Sequence, residues 1–255
     1  MPKVIESKRL LQITYDWAAD DYLRSLPLEH FMESTDQSTQ REITVESLAL
    51  VRAVRPDFQV FNELLIQYLL PGSKRSKPER VVPDNMVIVW PEPIDKLKAF
   101  HLELQPVGPT LVMEYVSESN RRKDYEDNLR RYRDDLHVPY YLLFEPANQA
   151  LDVFRLQDEK YGKVPRNEAG RLAIPELELE VGLIDGWVRY WHRGALLALP
   201  GELLHIIRSK DDQLDAALEE IHEKAMVAEK SEKRALAAEA EIARLREELA
   251  KFKTS

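Results

Sequence analysis

Two apolar runs of strand length, PTLVMEYVS from Pro109 and PYYLLFEP from Pro139, flank the charged run NRRKDYEDNLRRYRDDL from Asn120. The charged run cannot be a buried strand. Leu129, Tyr132 and Leu136 recur in it at intervals of three and four, the spacing of a helix with one narrow apolar stripe. A strand, a helix and a strand in that order form a crossover unit, which places the two strands parallel in one sheet. This constrains the fold more than any other feature of the chain.

The flanking segments extend the sheet. STDQSTQREITVESLALVRAVRP offers N-capping residues and then Ile43, Val45, Leu48, Leu50 and Val51, a loose helical stripe that stops before Pro56. TYDWAADDYLRSLP reads as a short surface helix that packs Tyr15, Trp17 and Tyr22 onto a core. FQVFNELLIQYLL reads as one strand, and VVPDNMVIVWP as another, interrupted at Pro83-Asp84. ALDVFRL and KYGKVP form a hairpin. RLAIPELELEVGLIDGWVRYWH adds a short strand or two, with a turn at Gly186. Trp187, Tyr190 and Trp191 are expected to pack in the core or against the C-terminal segment. The expectation is an α/β (α+β) fold, with a mixed sheet flanked by helices.

From about Leu203 the chain loses Gly and Pro and becomes rich in Ala, Glu, Lys, Arg and Leu. Leu214, Leu218, Ile221, Ala225 and Ala228 alternate by four and three; Ile242, Leu245, Leu249 and Phe252 resume the pattern after a charged interruption. Glu247 and Lys251 are one of several i,i+4 pairs. This is a long helix, read either as a solvated helix folded back on its own domain or as a coiled-coil dimer. The expected division is residues 1–204 and residues 205–255.

Composition removes several function classes. With no cysteine among 255 residues, disulfides, thiolate catalysis and Cys-based zinc sites are excluded. The six histidines form no close pair with ligand spacing. The net charge of -9 does not indicate a globally basic nucleic-acid binder, although GSKRSKPER and NRRK are local basic segments. The first residues carry no apolar core of signal-peptide length and no run approaches a membrane span. A soluble, cytoplasmic protein, bacterial in origin and with no membrane partner, is expected.

Within the apolar stretches stand two acids, Asp84 and Glu114. Burying an ionised carboxylate costs several kcal/mol unless a partner compensates. On one reading, Asp84 sits in a turn after Pro83 and Glu114 points to solvent from an edge strand. On the other, the two converge from neighbouring strands, where a divalent cation would relieve their repulsion. Oxygen ligands of this kind suit Mg²⁺, or Mn²⁺, which takes one or two protein carboxylates and keeps waters.

VVPDNMVIV, then LVMEYVSESNRRKDYEDNLRRYRDDLHVPYYLLFEP, then ALDVFRL, YGKV and GRLAIPELELEVGLIDG resemble the Uma2 (DUF820) family of the PD-(D/E)XK restriction-endonuclease-like superfamily. The likeness covers most of residues 30–190. It implies a restriction-endonuclease-like core and an endonuclease that hydrolyses DNA phosphodiesters with Mg²⁺ or Mn²⁺. Asp84 and Glu114 match the two motif acids, the metal ligands and catalytic carboxylates. Ser117 and Ser119 match the serines after the acid strand, and Asp124 the acid that opens the helix. An acid from the first helix is expected to join the site: Glu42, with Glu46 second. The superfamily's Lys would fall on Val116, and the Lys usual in Uma2-like chains falls on Asn128. Lys123 could supply the missing charge from the helix start, with Arg122 or Arg131 as other candidates. The alternative is a catalytically degenerate scaffold acting as an interaction protein through its C-terminal helix. A homodimer, through the core or that helix, fits either case.

Overall fold

A computed structural model of the chain describes residues 2–25, 35–70, 78–94, 98–117 and 121–253. It divides into two compact units, residues 1–199 and residues 200–255. The first is a mixed α+β unit; the second is one helix.

The centre of the first unit is a six-stranded sheet in the order β1 (Phe58–Asn62), β4 (Asn85–Val89), β6 (Leu111–Tyr115), β7 (Tyr140–Glu145), β8 (Ala150–Gln157), β9 (Lys160–Lys163). The expected crossover unit is present. β6 and β7 are parallel neighbours, joined through a helix over residues 121–135, named α3 here. The remaining neighbours, including the β8–β9 hairpin, are antiparallel.

β6 is buried along its whole length because both faces of the sheet are covered. Successive side chains alternate between the two faces. Leu111, Met113 and Tyr115 join a cluster with Leu48 and Val51 of α2 (Thr35–Val54), and with Val181 and Tyr190. Those last two belong to a second sheet, ordered β10 (Leu172–Ile174), β11 (Leu179–Ile184), β12 (Trp187–His192), β13 (Ala195–Leu196). Val112 and Val116 face the other way, with Tyr132 and Leu136 of α3. There they meet a third sheet, ordered β3 (Glu79–Val81), β2 (Ile66–Tyr68), β5 (Phe100–His101). Glu114 lies on this second face.

Several local readings need correction. FQVFNELLIQYLL is not one strand but β1 and β2 in different sheets. Glu63 between them adopts a left-handed backbone, φ 44, which turns the chain out of the first sheet. The segment VVPDNMVIVWP also serves two sheets, because Pro83 and Asp84 separate β3 from β4. Helix α1 (Pro2–Ser25) is longer than expected. Tyr15 is buried, stacked on His101 at 4.6 Å, and Tyr22 is half-buried under the Arg80 guanidinium; Trp17, however, is 74% exposed rather than packed. On α2 the buried face includes Gln40, Thr44 and Ser47 as well as Ile43, Leu48 and Val51, so the apolar residues alone understate it. Gln40 and Thr44 are held by hydrogen bonds, Gln40 to the backbone of Val188 and Thr44 to the hydroxyls of Tyr115 and Tyr190. Tyr190 and Trp191 pack inside the first unit, Trp191 beneath the Arg171 guanidinium.

The turn expected at Gly186 is a two-residue hairpin loop between β11 and β12. Asp185 and Gly186 both have positive φ, 51 and 83, the geometry that matches the twist of the strands it joins. A Cβ at Gly186 would stand 3.1 Å from Gln149 Nε2 and hold a side chain in a left-handed backbone. Gly186→Ala is expected to cost about 1–2 kcal/mol in urea unfolding, against a near-neutral effect of Gly162→Ala, where an added Cβ meets open space.

Candidate active site

The register of the β4–β6 pair builds the site. Asn85 lies opposite Met113 in this antiparallel pair, so the next residue on each strand, Asp84 and Glu114, comes opposite too. Asp84 stands just before β4, and its carboxylate turns to β6, where Oδ2 accepts the Tyr115 backbone N–H at 2.5 Å. The Arg41 guanidinium of α2 reaches Asp84 Oδ1 at 3.3 Å and also pairs with Glu63 at 3.1 Å. Glu114 does not point to solvent from an edge strand, since it is buried on an interior strand, whereas Asp84 does sit in a bend after Pro83.

Helix α3 closes over Glu114. Its residues Lys123–Asn128 and Arg131–Asp135 wind as π-helix, wider than the α-helical 3.6 or so residues per turn. Asp124, Asn128 and Tyr132 are spaced by four, and the wider winding keeps them on one buried face. Asn128 Nδ2 donates to Glu114 Oε1 and to Asp124 Oδ1, both at 3.0 Å. The Tyr132 hydroxyl donates to the same Glu114 oxygen at 2.7 Å, and the Tyr141 hydroxyl donates to the Asp124 carbonyl oxygen at 2.9 Å. With two carboxylates to serve, Asn128 can present only the NH₂ side of its amide, and its Oδ1 is left buried with no partner among the described residues.

The electrostatics record three acids sharing one place. Burial, then the charges of Asp84 and Asp124, push the Glu114 carboxyl well above the usual range. Burial also raises Asp84, against the Tyr115 N–H and the charges of Arg41 and Lys123. Asp124 is raised to about 6, by burial first and Asp84 second. Lys123 opposes the rise at all three acids, so this exposed side chain at the start of α3 lies near each of them. The Tyr132 hydroxyl is pushed up by burial and by Glu114, so it keeps its proton and donates.

The structure thus gathers Asp84, Glu114, Asp124, Asn128 and Lys123. Glu42 is exposed on α2, and the neighbouring residue that reaches Asp84 is Arg41. Glu46 is half-buried on the same helix, and Ser117 half-buried just beyond β6. Ser119 lies outside the described residues, as does most of GSKRSKPER. Val116, the other position expected to carry a Lys, is buried in the apolar cluster beneath the sheet, where an ammonium would have to be desolvated. Arg122 pairs with Glu126 at 3.2 Å, while Arg131 donates to the Arg80 carbonyl at 3.3 Å. The sequence had given Arg41 and Tyr141 no role, and Glu145 only as the acid that closes an apolar strand in the family resemblance. Glu145 ends β7, is buried, accepts from Asn148 at 2.8 Å and pairs with Arg121 at 3.5 Å.

A family model described as "Uma2: Putative restriction endonuclease" matches residues 32–187, more than half of the chain. The chain belongs to the Uma2 family. Its Uma2 region contains every strand of the six-stranded sheet and the whole of α3. Among solved structures it is similar to one described as "a putative nuclease belonging to DUF820" from Anabaena variabilis ATCC 29413. Identity is 16%, the match covers 57% of this chain and 75% of that one, and the TM-score is 0.42. No curated protein matches the sequence. No helix among the described residues is long and apolar enough to cross a membrane.

The raised Asp124 carboxyl sets a pH dependence. Between its ordinary pKa of 3.8 and its folded value of about 6, the folded chain holds a proton that the unfolded chain has lost. Stability from this group is therefore largest below that window and falls as pH rises through it. In EDTA, the melting temperature of the wild type relative to Asp124→Asn should drop between about pH 4 and pH 7 and then level off. A difference that grows with pH would contradict the assignment.

Proposed function

We propose that this chain is a divalent-cation-dependent nuclease that hydrolyses DNA phosphodiesters, with Asp84 and Glu114 as the residues that would hold Mg²⁺ or Mn²⁺. The observation that carries the reading is the placement of these two carboxylates opposite each other across β4 and β6, with Asp124 beside them. Their shared burial and mutual repulsion leave negative charge that the neutral donors Asn128 and Tyr132 do not cancel. An all-oxygen donor set of this kind fits a hard divalent cation, and Asn128 Oδ1, buried without a donor, is a further oxygen in the cluster. Among the described residues no three acids or histidines already stand as a ready-made cation cage. The fit is therefore to an ion held by one or two carboxylates that keeps waters, the habit of Mg²⁺.

When bound, such an ion would supply a nucleophilic water and stabilise the negative charge that builds on the phosphate oxygens. The chain's own residues do the rest. Tyr132 and Asn128 fix Glu114 through one oxygen, Oε1. The Tyr115 N–H and Arg41 fix Asp84. Lys123, exposed beside the acids, would stabilise phosphate charge, and the exposed Arg121 and Arg122 would contact the nucleic-acid backbone. Glu42 remains a candidate further acid from α2.

Asn128 favours a second reading. It donates between Glu114 and Asp124, where a Lys would bring a full charge, and so supports a catalytically degenerate, interaction-only scaffold. The two readings separate experimentally. Supercoiled plasmid should be cut with Mg²⁺ or Mn²⁺ and left intact in EDTA. Asp84→Ala and Glu114→Ala should each lower the rate at least about a hundredfold, the loss of roughly 3 kcal/mol of transition-state stabilisation. Asn128→Lys should raise it. Metal-dependent cutting that survives both alanine substitutions would rule the site out. Failure to bind either metal at millimolar concentration in calorimetry would favour the scaffold.

A further inference from the structure

The second unit is a single helix, α4 (Pro200–Lys253), 54 residues long and about 80 Å from end to end. Its apolar side chains do not wrap the whole surface. Leu204, Ile207, Leu214, Leu218, Ile221, Ile242, Leu245 and Leu249 follow a three-four alternation, and each is half or more exposed. Written as heptads, Leu204, Asp211, Leu218 and Ala225 take position a, while Ile207, Leu214, Ile221 and Ala228 take d. After Ala228 the phase slips by three residues. Ala235, Ile242 and Leu249 then take a, and Ser231, Ala238 and Leu245 take d. A slip of three locally overwinds a coiled coil without ending it. Apart from Asp211 and Ser231, the a and d positions are apolar, and two such positions in seven make the narrow seam of a two-stranded pair rather than the broader face that packs on a globular core. Ile206, Leu236 and the neighbours Met226 and Val227 fall off the seam.

The charges beside the seam identify the occupant. In a parallel, unstaggered pair, position g of one chain faces position e of the following heptad on the other. Between Leu204 and Arg246, the residues that then meet with charge on both sides are Lys210 with Asp215, Lys224 with Glu229 at the phase slip, Arg234 with Glu239, and Glu241 with Arg246. All are opposite in sign. Slipping one chain by a heptad in either direction breaks the match, because Arg234 then faces Arg246 or Glu241 faces Glu239. Such complementarity is of the helix with itself. A foreign partner would not require it. The intrahelical contacts these residues make include Lys224 with Glu220, Lys233 with Glu229, Arg244 with Glu241 and Lys210 with Gln213; all are exposed and cost little to exchange.

We propose that residues 204–249 pair with the same segment of a second copy of this chain as a parallel, in-register two-stranded coiled coil, independent of whether the first unit cleaves DNA.

The test uses the full chain. Sedimentation velocity at tens of micromolar should give twice the chain mass of 29.7 kDa. Lys210→Glu with Arg234→Glu, and separately Asp215→Lys with Glu239→Lys, place like charges across the seam. Each double variant should dimerise at least about tenfold more weakly, while an equimolar mixture should recover the wild-type affinity, since every pair is then opposite in sign. The natural chain has no cysteine, so Leu214→Cys and Leu245→Cys, made singly, report orientation. Both are d positions and should form an interchain disulfide under mild oxidation, as only a parallel, in-register pair allows. A monomeric wild type overturns the proposal. So does a mixture no tighter than its components, or a failure of either cysteine variant to cross-link.

Discussion

Two carboxylates that face each other across a strand pair repel, and the first unit is arranged around that repulsion. The β4–β6 register sets Asp84 opposite Glu114, and both lie on the face of the sheet that α3 covers. In water the repulsion would be weak. Against Tyr132, Tyr141 and Val112 it is felt at short range, and burial adds to it. The surroundings answer with donors: the Tyr115 N–H and Arg41 for Asp84, Asn128 and Tyr132 for Glu114. The long crossover between two parallel strands brings α3 over this place, and its π winding aligns Asp124, Asn128 and Tyr132 toward the acids.

The donors do not restore neutrality. Asn128 satisfies two oxygens by hydrogen bonding but brings no charge, and Lys123 acts from the solvent side. A buried acid cluster short of positive charge is a place where a cation or a proton is stabilised, and the three carboxyls are correspondingly raised. In a stability-optimised core such a cluster would be a defect. It lies inside the region that matches the Uma2 family, and Asn128 sets how much of its charge is left unanswered.

The opposite face of the sheet has a different economy. There Thr44, Tyr115, Tyr190 and Asn85 exchange hydrogen bonds in a closed set, and Gln40 ties α2 to the backbone of β12. Each of these buried polar groups has a partner, which makes this face the rigid support on which the β4–β6 register rests. The second unit follows separate physics. Its helix is stabilised by exposed i,i+4 pairs such as Lys233 with Glu229, and its apolar seam lies open to solvent.

The sequence by itself determined the crossover unit, the hairpin after it, the long C-terminal helix and the pairing of Asp84 with Glu114 as an idea. These are local: they rest on periodicity, on Gly and Pro, and on an acid out of place in an apolar run. The splitting of two apolar runs between sheets was not legible, because a left-handed residue at Glu63 leaves no mark in a hydrophobic pattern. Neither was the α2 register. Periodicity located the helix, but which side chain met Asp84 depended on the rotation of α2 against the sheet, and that brought Arg41 to it rather than Glu42. Only the tertiary structure decided what surrounds Glu114, since Asn128, Tyr132 and the opposing Asp84 come from three separate elements. Their meeting is set by strand register and helix packing, quantities that no single stretch of sequence carries.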